Sequence, residues 1–75
     1  MSVTRKQYVH SLIDDINELQ PSAAGRYGLD NAYGGYRLVF IKNSSGEVDI
    51  SERVPLKQMA DMLYTVREVL KRGRQ

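Results

Sequence analysis

Seventy-five residues, 41% hydrophobic and 27% charged, with a formal net charge of +2, describe a single folded domain. Leu, Ile, Val and Phe occupy nineteen positions, which with so small a charge argues against intrinsic disorder. The lack of cysteine excludes disulfides, thiolate catalysis, zinc fingers and iron–sulfur clusters, and no apolar run approaches the roughly 18 residues that span a bilayer.

The first residues lead into an amphipathic pattern and not into a signal-peptide core, which predicts a cytoplasmic protein with no membrane partner. Without disulfides or an evident metal site, so short a chain depends on efficient helix packing or on oligomerisation, and a homodimer is expected.

Thr4 followed by Gln7 has the form of a capping box, and Val9, Leu12, Ile13, Ile16 and Leu19 then recur at helical steps, predicting a helix over 4–20 that Pro21 ends. Residues 25–35 hold four glycines with Tyr27 and Tyr33. Their pattern allows a short strand through Tyr27 and Leu29 before a turn at Asp30-Asn31. Residues 36–42 and 47–51 read as strands of a hairpin.

Between those strands, Asn43-Ser44-Ser45-Gly46 fits a three-residue loop with Gly46 left-handed, pairing Asn43 with Glu47. That register gathers Tyr36, Leu38, Phe40, Val48 and Ile50 on one face and Arg37, Val39, Ile41, Glu47 and Asp49 on the other. A two-residue loop would regroup them, and under either register an apolar patch is left to be covered. Pro55 then opens a second helix over 55–72, carrying Leu56, Met59, Leu63, Val66 and Leu70, with Met62 and Val69 widening the stripe.

Candidate chemistry is sparse. His10 and Asp14 lie one helical turn apart, but no nucleophile is tied to them, so they read as a surface pair. Asp14, Asp15 and Glu18 form a solvated acidic flank rather than a cation site. The glycine segment has neither the dinucleotide fingerprint nor the P-loop lysine. Asn43-Ser44-Ser45 matches a glycosylation sequon but reads as a plain turn. No catalytic, cofactor-binding or metal-binding residue is expected.

Charge is uneven: residues 1–20 sum to −1, 21–55 to zero and 56–75 to +3. The excess sits in Lys71, Arg72 and Arg74 at the C-terminus, where residues 71–75 are expected to form a basic, frayed tail. Tyr27 and Tyr33 beside Arg26 and Arg37 have the composition of a stacking platform for single-stranded bases, with the tail supplying phosphate contacts.

The run Gly25-Arg-Tyr-Gly-Leu-Asp-Asn-Ala-Tyr-Gly-Gly-Tyr-Arg-Leu-Val39, followed by a hairpin and a closing helix, resembles a pattern in small uncharacterised proteins of gut Bacteroides species and their phages. The resemblance covers about half the chain. It implies a phage or mobile-element origin and carries over no activity.

The expected fold is α+β: helix, short strand, β-hairpin and helix in one domain over 1–75, with both helices on one face of an antiparallel sheet. The expected core is Val9, Leu12, Ile13, Ile16, Leu19, Leu38, Phe40, Val48, Ile50, Leu56, Met59, Leu63, Val66 and Leu70. The expected function is a non-enzymatic interaction module, homodimeric through the uncovered sheet face at Val39, Ile41 and Arg37 or through an edge strand, with another protein as the alternative partner. The alternative is a nucleic-acid accessory protein using Arg26, Tyr27, Tyr33, Arg37, Lys71, Arg72 and Arg74.

Overall fold

The computed structural model describes residues 3–32 and 34–73. Helix α1 (Arg5–Leu19) starts at the capping box: the Thr4 hydroxyl accepts the Gln7 N–H at 3.1 Å, and the Gln7 side chain accepts the Thr4 N–H at 3.0 Å. Three strands follow, β1 (Gly25–Ala32), β2 (Gly35–Lys42) and β3 (Glu47–Asp49), paired antiparallel in the order β1-β2-β3. Helix α2 (Leu56–Arg72) completes a small α+β domain, with Pro55 at its N-cap rather than in its first turn.

Val9, Leu12, Ile13 and Ile16 of α1 meet Met59, Ala60 and Leu63 of α2 over Leu38. The C-terminal halves of the two helices run side by side in the same direction. Arg67 of α2 bonds Asp15 of α1, and one turn further on Lys71 and Leu19 line a shared cleft.

The glycine segment is more regular than its composition suggested. β1 continues through Asp30 and Asn31, and the reversal falls between Ala32 and Gly35, which face each other across the hairpin. Gly34 and Gly35 have φ of 92° and 125°, in the region that disfavours other residues, and this moves the turn past Asp30-Asn31. Gly35 also lies against the backbone of Val54, which forms a two-way bridge with Tyr36 just ahead of α2.

The second hairpin departs from expectation by two positions. Glu47 pairs with Ile41, and Val48 with Phe40. Asn43 is drawn to the α1–β1 connection instead, its backbone N–H on the Ala24 carbonyl at 2.8 Å and its side-chain amide on the Ala23 carbonyl at 2.6 Å. Gly46 still takes the left-handed conformation, with φ of 83°. A slip of two leaves every side chain on its expected face, because the strand period is two.

The core is displaced relative to expectation. Val39 (1% exposed) and Ala60 are buried, whereas Val48 (41%), Ile50 (50%) and Val66 (37%) are exposed. Leu19, Phe40, Leu56 and Leu70 are half-buried. The cause is layer geometry: α1 packs on β1, α2 packs on β2, and neither packs on β3. Two helices cover two strands, and the third is left bare on the helix side.

Candidate interaction surface

The residues expected to form an apolar patch on the open sheet face do come together, but they close over one another. Gly28 has no side chain, and a Cβ there would lie 2.7 Å from Ile41 Cδ1 and 3.9 Å from Val39 Cγ2. Ile41 fills that space beside Val39. On the other side, Arg37 bonds Asp49, the cross-strand neighbour of Val39, at 3.0 Å. Val39 is therefore buried within the single chain, and the expectation of a free Val39 surface is corrected: Ile41 and Arg37 are only half-exposed.

The residues of the nucleic-acid reading are dispersed. Tyr27 faces the helices, half-buried, edge-on to Phe40 with ring centroids 5.2 Å apart. Arg26 and Arg37 occupy alternate strand positions on the opposite face. Lys71 sits 3.7 Å from Glu68, and Lys71 and Arg72 belong to the last helical turn, so these two positions of the expected tail are ordered helix. Tyr33 and Arg74 lie outside the described residues.

His10 and Asp14 are both exposed. Within the acidic flank, Asp15 holds the guanidinium of Arg67 at 3.0 Å, and that hydrogen bond, aided by Glu68 and opposed by burial, raises the Arg67 pKa above its ordinary value. Arg67 also lies 5.3 Å from the Tyr64 ring centroid. Asp15, Glu18, Leu19 and Lys71 line a cleft of about 270 Å³, in which Asp15 is already paired with Arg67 and Lys71 lies near Glu68.

Both outer strands of the sheet are guarded. On β1, the Asn17 side chain accepts the Tyr27 N–H at 2.8 Å and donates to the Tyr27 carbonyl at 3.0 Å, as a neighbouring strand would. On β3, Glu47 and Asp49 place carboxylates on either side of Val48, a common device against edge pairing.

What remains open is a ledge. Its floor is Val48 of β3 and Ile50 just beyond the end of that strand. Val48 pairs with Phe40, which shares the helix-side face with Tyr27 and Leu38. Its wall is the flank of α2 turned away from α1. Ala60, Arg67 and Lys71 lie on the flank toward α1, and the helical period puts Met62, Val66 and Val69 on the side toward β3. Val69 is 61% exposed. Sequence reasoning assigned Val48, Ile50 and Val66 to the core; the signal it held was the width of the α2 stripe, too broad for one sheet face and one neighbouring helix to cover.

Among the described residues no helix is long and apolar enough to cross a membrane. Comparison with protein-family models, with curated proteins and with solved structures gives no match for this chain. The functional reading therefore rests on the surface itself.

Proposed function

We propose that this chain is a non-enzymatic interaction module that acts as a homodimer through the ledge between β3 and the outer flank of α2. The observations that carry this reading are the exposed Val48 and Ile50, at a strand that neither helix packs on, and the exposed Val66 and Val69 of α2. Exposed apolar side chains gathered on one side of a small domain are a common feature of protein contact sites. The resemblance of residues 25–39 to Bacteroides and phage proteins adds the role of an accessory protein on a phage or mobile element.

The test is the mass in solution, by size-exclusion chromatography with light scattering over a hundredfold range of concentration. The expected value is about 17 kDa, twice the 8.5 kDa chain. Val66→Asp is expected to give a folded monomer. A wild-type chain that stays at 8.5 kDa throughout overturns the reading.

A further inference from the structure

We infer that the β2–β3 hairpin is a register switch, in which β3 slides by two residues along β2. Two registers coexist in the fold. Near the turn Phe40 faces Val48, yet at the base Tyr36 faces Val54. Four steps of chain separate Tyr36 from Phe40 and six separate Val48 from Val54, so the second segment stores a surplus of two residues.

That surplus sits at a bulge. The Leu38 carbonyl accepts the N–H groups of both Ile50, at 2.9 Å, and Ser51, at 3.3 Å, the pattern of two residues opposing one. The Leu38 N–H donates to the Ser51 hydroxyl at 3.0 Å, and that hydroxyl donates to the Glu52 carbonyl at 3.0 Å. Leu38 and Glu52 are the residues that face each other if the Tyr36–Val54 register runs on toward the turn. The Ser51 hydroxyl thus stands between an N–H and a carbonyl that bond directly in the shifted register.

After the shift, β3 runs unbroken from Glu47 to Val54. Ile50 takes the place of Val48 opposite Phe40, Val48 moves to Lys42, and Ser44-Ser45-Gly46 forms the loop, with Gly46 keeping the positive φ it already has. Because the move is one full strand period, no side chain changes face and no apolar residue crosses the sheet.

Charge selects the present register. Arg37 bonds Asp49 at 3.0 Å; the shift carries Asp49 to Ile41 and sets Arg37 opposite Arg53, where like charges are destabilising. The side chains of Arg37 and Asp49 are 29% and 61% exposed, so their pairing is a weak lock. The switch exchanges an edge of three residues, guarded by Glu47 and Asp49, for a long one, and so controls what the outer edge of the sheet offers to a partner strand.

The two registers are told apart by NMR. In antiparallel pairs without mutual hydrogen bonds the Cα atoms lie about 4.5 Å apart, and the Lys42–Gly46 and Leu38–Ile50 bonds put Ile41 in that class. Contact between the Hα atoms of Ile41 and Glu47 therefore reports the present register, and contact between Ile41 and residue 49 the shifted one. Saturation-transfer experiments on the wild-type chain are expected to show residues 47–52 exchanging with a minor state of about 0.1–10%, with β1 silent. Arg37→Ala removes both the ion pair and the opposed arginines, and should raise that population several-fold. Ser51→Ala leaves the Leu38 N–H and the Glu52 carbonyl unbridged, and should raise it further and bring up the Ile41–Asp49 contact. Unaltered contacts with no exchange in either variant overturn the inference. Loss of the Ile41–Glu47 contact with none to residue 49 in its place is fraying of β3, and overturns it too. If Ser51→Ala does not fold, Arg37→Ala decides alone.

Discussion

Asn17 shows how one side chain substitutes for a strand. It projects from α1 and engages both backbone polar groups of Tyr27, an edge position whose partner in a wider sheet would be another chain. Asn17→Ala leaves a partly buried donor and acceptor without these partners, and its expected cost is about 1–3 kcal/mol, read as a lower urea midpoint at fixed protein concentration. Asn17→Asp should also destabilise, because a carboxylate keeps the bond to the Tyr27 N–H but faces the Tyr27 carbonyl without a proton to offer. An unchanged midpoint in both variants would show the clamp to be energetically idle. The two faces of the sheet give a matched comparison at the same scale. Val39→Asp puts an unpaired charge at a position 1% exposed and should prevent folding, since such burial costs several kcal/mol against a typical stability of about 5–15 kcal/mol. Val48→Asp, at 41% exposure, should change the stability of the isolated chain by no more than about 0.5 kcal/mol while weakening assembly. The reverse pattern in circular dichroism and light scattering would return the contact surface to Val39 and Ile41.

At the scale of elements, the Tyr36–Val54 bridge decides where α2 begins, and Gly35 permits it. A side chain there would be strained at φ 125° and would set its Cβ 2.6 Å from the Val54 carbonyl oxygen. Gly35→Ala should therefore cost more than about 1 kcal/mol and open the bridge, seen as faster amide exchange at Tyr36 and Val54. Gly46→Asn is the control: φ is also positive, but nothing lies within 4 Å, and asparagine tolerates that conformation. The sequence was legible where a local rule has one solution. The Thr4–Gln7 box, the α1 stripe, the end at Pro21, the left-handed Gly46 and the two-face division of the hairpin all follow from residues within a turn or two. It was less legible where distant chain decides. The pairing of Glu47 depends on Asn43 being held by Ala23 and Ala24, twenty residues earlier, and the turn at Gly34 depends on Val54 lying against Gly35. The candidate surface was hidden for a related reason: periodicity puts Val48 and Ile50 on one face of the hairpin and Val66 in the α2 stripe, but only the order β1-β2-β3, with α1 on β1 and α2 on β2, leaves β3 uncovered.

For the whole molecule, the consequence is a coupling between assembly and stability. A 75-residue chain without disulfides has little core to spare, and here Val48, Ile50, Val66 and Val69 remain largely in water in the single copy. If the second copy removes them from solvent, folding and association share one free energy, and the thermal midpoint rises with protein concentration. A monomer shows no such dependence. Calorimetry over a hundredfold range of concentration should therefore give a rising midpoint for the wild-type chain and a flat, lower one for Val66→Asp. The same apolar contact predicts the response to salt: raising sodium chloride screens surface charges but not the apolar floor and wall, so the midpoint should keep its concentration dependence. A contact held chiefly by ion pairs would lose that dependence as salt rises. Retention at high salt together with loss on Val66→Asp would place the driving force in the ledge, and the opposite pair of results would move it to ion pairs elsewhere on the surface.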